Sequence, residues 1–340
     1  MATLGTDILT MAEFSKRTDP DGTPAQMANV LTQECPFLKD APILPSNMIA
    51  SHRSTVVTGL PVANRRRLNA GTPASRGTTA QVTDSITMYD SWSVIDAKEL
   101  EIVGDAETHR SNEIDLHMES IAQLVDDDIV YGSETDSDLE FNGFMSRPSL
   151  NALSSKQVIN AGGSGSDNAS VLLVGWSPQK VYLVYPKNSP YVGIKHKDWD
   201  AEPVMEGTTD IAASTMEAYR DHLCVELGLV VKDERFVSRV ANIDMSDLTT
   251  FGGQQALTDL DQEIVPAMIR ATHRIHSLTN CRPVFYMPRS VYEFLDIHYV
   301  ARTGVNVFKY SDVAGEKIAT FRNIPVRISD RMIYAEPAVA

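Results

Sequence analysis

Apolar residues recur at Ile114, Met118, Ile121, Val125 and Ile129, a spacing of i, i+4, i+7, i+11 and i+15. This spacing draws one stripe along a long amphipathic helix. It predicts a helix over 106–131, with Asp105 as N-cap and Gly132 as the stop after Tyr131. Asp126, Asp127 and Asp128 fall in its last turns, where the helix dipole disfavours anions. That conflict calls for a cationic partner elsewhere. Just before the helix the pattern is different. Residues 54–69 and 78–103 are Thr- and Val-rich and polar throughout, and read as two strands around the turn residues of 70–77 (AGTPASRG). At about 3.3 Å per residue such an arm projects on the order of 50 Å. An isolated two-stranded ribbon is marginal in water. This one is too polar to bury itself against its own partner strand, so it needs a surface from elsewhere, and another copy of the chain is the simplest supplier.

The remaining pattern mixes both periods and predicts an α+β fold. Near the start, 6–17 and 25–32 read as short helices separated by DPDGTP, and Pro36, Pro42 and Pro45 make the following backbone extended. After the long helix, 133–170 is loop-rich, with AGGSGSDN (161–168) as a flexible tip. Strands follow at 171–176 and 181–185, and 186–215 is irregular. Residues 219–231 and 235–243 read as an antiparallel ladder joined through Lys232-Asp233-Glu234. Further on come a helix over 257–276 with a kink at Pro266, a strand at 283–287, a short helix at 290–296, and a strand pair at 325–328 and 332–334.

Composition narrows the function. The 340 residues are 43% hydrophobic and 22% charged, enough for a sizeable core. No run of about 18 apolar residues predicts a membrane span. The first residues lack the basic and apolar regions of a signal peptide, which predicts synthesis in a cytoplasm. The net charge of −15 is poorly suited to wrapping nucleic acid. It does suit a soluble subunit, and a wall lying near nucleic acid without adhering to it. Cys35, Cys224 and Cys281 are odd in number and widely spaced, which predicts free thiols.

Candidate chemistry is sparse. Gly162-Gly163-Ser164-Gly165-Ser166 lacks the Gly-Lys-Ser/Thr of a phosphate loop, and reads as a hairpin tip. His273, His276 and Cys281 lack a fourth ligand at a zinc spacing. Asp136, Asp138 and Glu140 lack the central glycine and later glutamate of a calcium loop. No nucleophile elbow or paired-carboxylate spacing is present, and no cofactor is implied. Arg65, Arg66 and Arg67 lie on a strand whose side chains alternate, so at most two face one way. With Arg76, and with Asp126, Asp127 and Asp128 on the helix, they are the candidate inter-subunit contacts.

Several stretches together carry a family likeness. They are MATLGTDILTMAEFSKRTDPDG, TVVTGLPVANRRRLNAGTPASRGTTAQVTD, the helix ending in Tyr131-Gly132 with FNGF after it, INAGGSGSDNASVLLVGWSP, GLVVKDERFVSRVANIDMSDL, RPVFYMPRSVYEFLD and NIPVR. In this order the chain resembles the HK97-fold major capsid proteins of tailed double-stranded DNA bacteriophages, especially a group from short-tailed phages. The resemblance implies an HK97-like α+β fold with an N-terminal arm (1–50) and an extended β-hairpin loop (51–104). A spine helix and long-sheet peripheral domain with part of the axial domain would occupy 105–250. Axial helices and a strand would follow at 251–320, and returning strands at 321–340. It implies self-assembly into hexamers and pentamers of an icosahedral shell in the virion, built in the host cytoplasm around phage DNA that is enclosed without sequence-specific contacts. The extended loop would lie over a neighbouring subunit. A separate scaffolding protein, a portal and a decoration protein are the further partners, with no membrane. An encapsulin-like compartment shell of the same fold is the alternative.

Overall fold

The computed structural model describes residues 35–103, 105–189, 193–206, 214–245, 256–301, 308–313 and 316–339. The helices expected at 6–17 and 25–32 lie outside the described residues. Among the described residues the chain divides into two compact units, one of Tyr89–Gln123 and Gly193–Val225, the other of Cys35–Met88, Leu124–Val192 and Glu226–Ala340.

The second unit is built on a seven-stranded sheet. Its strands are β5 (Val158–Asn160), β6 (Asn168–Trp176), β10 (Val237–Asp244), β11 (Arg282–Met287), β12 (Phe308–Val313), β13 (Glu316–Phe321) and β14 (Ile324–Ile328). The order is β12-β13-β14-β11-β6-β10-β5. Every residue of β6 is buried, as its near-continuous apolar run requires of a central strand. Helix α4 (Ala256–Arg274) packs over β10 and β5, and α5 (Arg289–Ala301) packs on β12. The expected final pair is different: 332–334 is not a strand, and the β12–β13 hairpin precedes β14 instead.

At the start of this unit, Pro36–Asp40 forms a short helix, α1, where extended backbone was expected. Pro36 sits in its first turn, where a missing N–H costs nothing. Phe37 is fully buried and stacks on Tyr286 at 4.0 Å. Strand β1 (Ile43–Pro45) then runs parallel to β7 (Val181–Tyr185), and Val181–Val184 pair antiparallel with Gly228–Val231 at the end of β9 (Ser214–Val231). The expected ladder between 219–231 and 235–243 does not form. Asp233 accepts from the Arg235 N–H and starts a 3-10 turn, and the chain changes sheet there. All but the last residue of β10 is buried, and both its edges are filled, by β6 and β5. Residues 161–168 therefore form a crossover past β10 and no hairpin tip. Gly163 N–H donates to the Asn242 carbonyl at 2.9 Å, and a Cβ at Gly163 would lie 2.8 Å from that oxygen.

In the first unit, β9 is flanked by β4 (Thr87–Asp96) and β8 (Lys195–Glu206). Strand β8 lies within a stretch that reads as irregular, because KHKDWDAEPVME is polar at both alternating positions. An edge strand needs no apolar face, and it tolerates Pro203. Residues expected to continue the strand form helix α2 (Ala97–Val103). Asp96 accepts from the Lys98 N–H at its start, and AKELEIV is rich in helix formers. The long helix, α3, spans Ala106–Tyr131, as its periodicity predicts. Asp105 caps it, accepting from the Thr108 N–H at 3.2 Å and the Thr108 hydroxyl at 2.9 Å. Within the first unit Arg110 of α3 grips Asp221, which is 1% exposed, and also pairs with Asp198. Both α3 and β9 contribute residues to the two units.

Candidate assembly surface

Strands β2 (Ser51–Gly59) and β3 (Thr78–Ser85) form a two-stranded antiparallel ribbon, in register from Ser51↔Ser85 to Gly59↔Thr78. Neither pairs with any other strand among the described residues; at the root the Asn47 amide holds the N–H and carbonyl of Arg53, and no strand covers the edges beyond it. The paired part is about 30 Å long. It is shorter than the pattern predicts for two reasons. Pro61 removes a ladder donor beyond Gly59, where the register already shifts. At the other end the chain leaves the ribbon after Ser85, Ile86 N–H bonding to the Ala50 carbonyl before β4 begins.

The root of the ribbon is clamped. Arg147, buried, pairs with Asp84 of β3 at 2.9 Å and donates to the carbonyls of Leu229 and Asn142. Burial pushes the Asp84 carboxyl above its usual range, although Arg147 and His52 pull the other way. His52 of β2 meets the Tyr182 hydroxyl at 3.0 Å, and Ser85 bonds to Glu134. The tip is the opposite. Residues 60–77 contain four arginines and no acid. Arg65, Arg66, Arg67 and Arg76 are all exposed and make no ion pair among the described residues. Leu60 and Leu68 are 84% and 92% exposed. The tip turns at Asn69, in the left-handed region at φ 64°, where Ala70 N–H bonds to the Arg67 carbonyl. A cleft of about 830 Å³ runs between β2 and the Val231–Arg235 turn.

The aspartates of α3 lie elsewhere, and their placement corrects the inter-subunit expectation for two of them. Asp126 is 2% exposed and accepts hydrogen bonds from the Ser329 hydroxyl at 2.8 Å and the Cys35 thiol at 3.4 Å. Asp128 is also buried. A side chain inside its own subunit has no face for a neighbour. Asp127 pairs with Arg331 at 3.5 Å, which is the cationic partner the helix dipole called for. Burial pushes the Asp126 carboxyl up to about 6, against the lowering influence of Ser329, Cys35 and Arg331. The helix end is satisfied by the chain that follows. Phe144 and Met145 N–H groups bond to the carbonyls of Ile129 and Val130, and Gly143 N–H to that of Gly132. This close approach requires glycine, since a Cβ on Gly143 would sit 2.5 Å from the Asp128 carbonyl.

The ribbon thus combines a clamped root with an exposed, cationic, partly apolar tip. Residues 19–340 match the family described as Major capsid protein GP7. The chain belongs to this capsid-protein family. Among solved structures it resembles the near-atomic structure of bacteriophage Epsilon15, at 25% identity with a TM-score of 0.75, covering 100% of this chain and 99% of that one. The capsid of bacteriophage JBD30 aligns at 11% identity and TM-score 0.48, over 96% and 99% of the two chains. The SrpI encapsulin of Synechococcus elongatus PCC 7942 aligns at 9% identity and TM-score 0.46, over 72% and 98%. No curated protein matches the sequence. The fold is the HK97-like capsid fold, and the subunit is a structural protein of the shell.

The other sequence candidates stay apart. His273 and His276 are exposed, and the Cys281 thiol donates to the Ser277 carbonyl. Among the described residues no three His, Cys, Asp or Glu side chains gather as metal ligands, and no helix is long and apolar enough to cross a membrane. The root clamp, Arg147 with Asp84, escapes a sequence reading because its partners lie 63 positions apart. The buried Arg239–Glu336 pair, 2.8 Å, escapes it for the same reason.

Proposed function

We propose that this subunit assembles into hexamers and pentamers of an icosahedral phage shell, with the β2–β3 ribbon reaching over a neighbouring copy. The observation that carries this is the ribbon itself, with no further strand on its edges, exposed leucines and four arginines that make no ion pair among the described residues, on a clamped root. The surface that receives the arginines is acidic, as a chain of net charge −15 supplies in excess. A closed shell repeats one such heterologous contact around its axes. Many weak contacts acting together stabilise it. Assembly in the host cytoplasm with a separate scaffolding protein, a portal and a decoration protein belongs to this reading, as does enclosure of double-stranded DNA without sequence readout. Replacing residues 60–77 by a two-residue Asn-Gly turn tests it. The variant is expected to fold with an unchanged circular dichroism spectrum and to form no closed particles in electron micrographs. Normal shells from that variant would remove the ribbon from assembly.

A further inference from the structure

A cationic patch stands out in this acidic subunit. Arg270, His273 and Arg274 occupy one exposed face at the end of α4, since positions i, i+3 and i+4 are neighbours on a helix. His276 follows, its N–H bonded to the carbonyl of Arg235. Arg270 and Arg274 make no ion pair among the described residues. Leu278 lies exposed just beyond.

The counterpart is on the same unit. The loop after α3, Ser133–Glu140, is tied together by local hydrogen bonds: the Asp136 and Ser137 N–H groups donate to the Ser133 carbonyl, and the Glu140 carboxylate accepts from the Ser133 N–H. It displays Asp136 and Asp138, both exposed and without a partner among the described residues, on either side of the turn. Leu139 is 80% exposed beside them. One surface offers two arginines and a leucine, and the other two aspartates and a leucine, with none of the four charges paired among the described residues.

We infer that the cationic end of α4 docks on the Ser133–Glu140 loop of a second copy. The inference rests on the shell reading, and gives that assembly a contact separate from the ribbon. Two different surfaces of one chain meet, so the contact is heterologous and propagates around a ring. Opposite charges steer the approach and set the register. A phosphate backbone is the poorer fit, because two arginines on a chain of net charge −15 give little counterion release.

Charge reversal tests it. D136R/D138R and R270E/R274E are each expected to lower the assembled fraction at least about tenfold in sedimentation, with subunit melting temperatures unchanged. The milder pairs D136N/D138N and R270Q/R274Q are expected to assemble with reduced salt sensitivity, which guards against a reversal that merely unfolds the chain. The fourfold reversal is expected to restore shells. An equal mixture of the two reversed variants restores the contact only where they alternate, which a ring of six permits and a ring of five does not. Hexamers or open sheets without closed shells are therefore expected from the mixture. Wild-type assembly by either reversed variant overturns the inference, and so does a fourfold variant that stays unassembled. Intact R270E/R274E shells that lose packaged DNA also overturn it, in favour of phosphate. Failure of the unmodified chain to assemble would instead sink the shell reading.

Discussion

At the scale of single residues, the aspartate run of α3 carries the sharpest expectation. Asp126 is buried and held at a pKa of about 6, well above the usual 3.8. The folded state therefore binds its proton more tightly than the unfolded chain. The resulting stabilisation is complete below about pH 3.8 and is lost as pH rises through about 6. Over that window Asp126 alone is worth on the order of 2–3 kcal/mol. Asp126→Asn should remove that dependence and be more stable than the parent at pH 7.5, with the difference closing by pH 4. Urea titrations at the two pH values check it, and an unchanged slope would count against a raised pKa. A second residue prediction concerns Glu336, which holds buried Arg239 and accepts from Ser170 and Tyr131. Glu336→Ala should cost about 3–5 kcal/mol, because it strands a buried guanidinium, and a loss under 1 kcal/mol in chemical denaturation would refute it. The sequence showed the acid run as a conflict and required a cation for it. It could not show that Arg331 is that cation, or that Ser329 and Cys35 enclose Asp126, since those contacts span 91 to 204 positions.

At the scale of elements, periodicity was a good guide wherever one face is buried. Helix α3 is found at its predicted bounds because Ile121, Val125 and Ile129 all point into the core. Central β6 and β7 were readable for the same reason. The reading failed where neither face is buried or both are. Polar β8 looked irregular, and apolar β9 and β10 were paired with each other although each is filled by different strands. The ribbon was legible as a ribbon, but its root was not. This division of labour predicts the effect of changing the tip. Arg66→Glu should sharply reduce particle yield while moving the subunit melting temperature by no more than about 2 °C, as expected of an exposed residue. Equal losses in calorimetry and in particle yield would place Arg66 in the subunit's own fold.

At the scale of the whole molecule, the family match and the α+β layout agree on a building block. The polar arm of 54–103 and the order of the family-like stretches made that legible in the sequence. The surfaces proposed to join copies show their charge in the sequence, but which groups stay exposed and unpaired among the described residues is visible only in the fold. Raising ionic strength should slow shell formation markedly, since cationic tips on acidic copies associate through screened charges, and light scattering at 0.05 M and 0.5 M salt would show it. The edges of β2 and β3, which meet no other strand among the described residues, have one more consequence. Two unpaired strand edges are templates for uncontrolled stacking of one copy on the next. Every ribbon carries four arginines and no acid at its tip, so two ribbons repel each other. The same charge that seeks an acidic neighbour thus acts as a gatekeeper against fibre-like growth, and keeps a concentrated pool of free subunits competent until the right surface arrives.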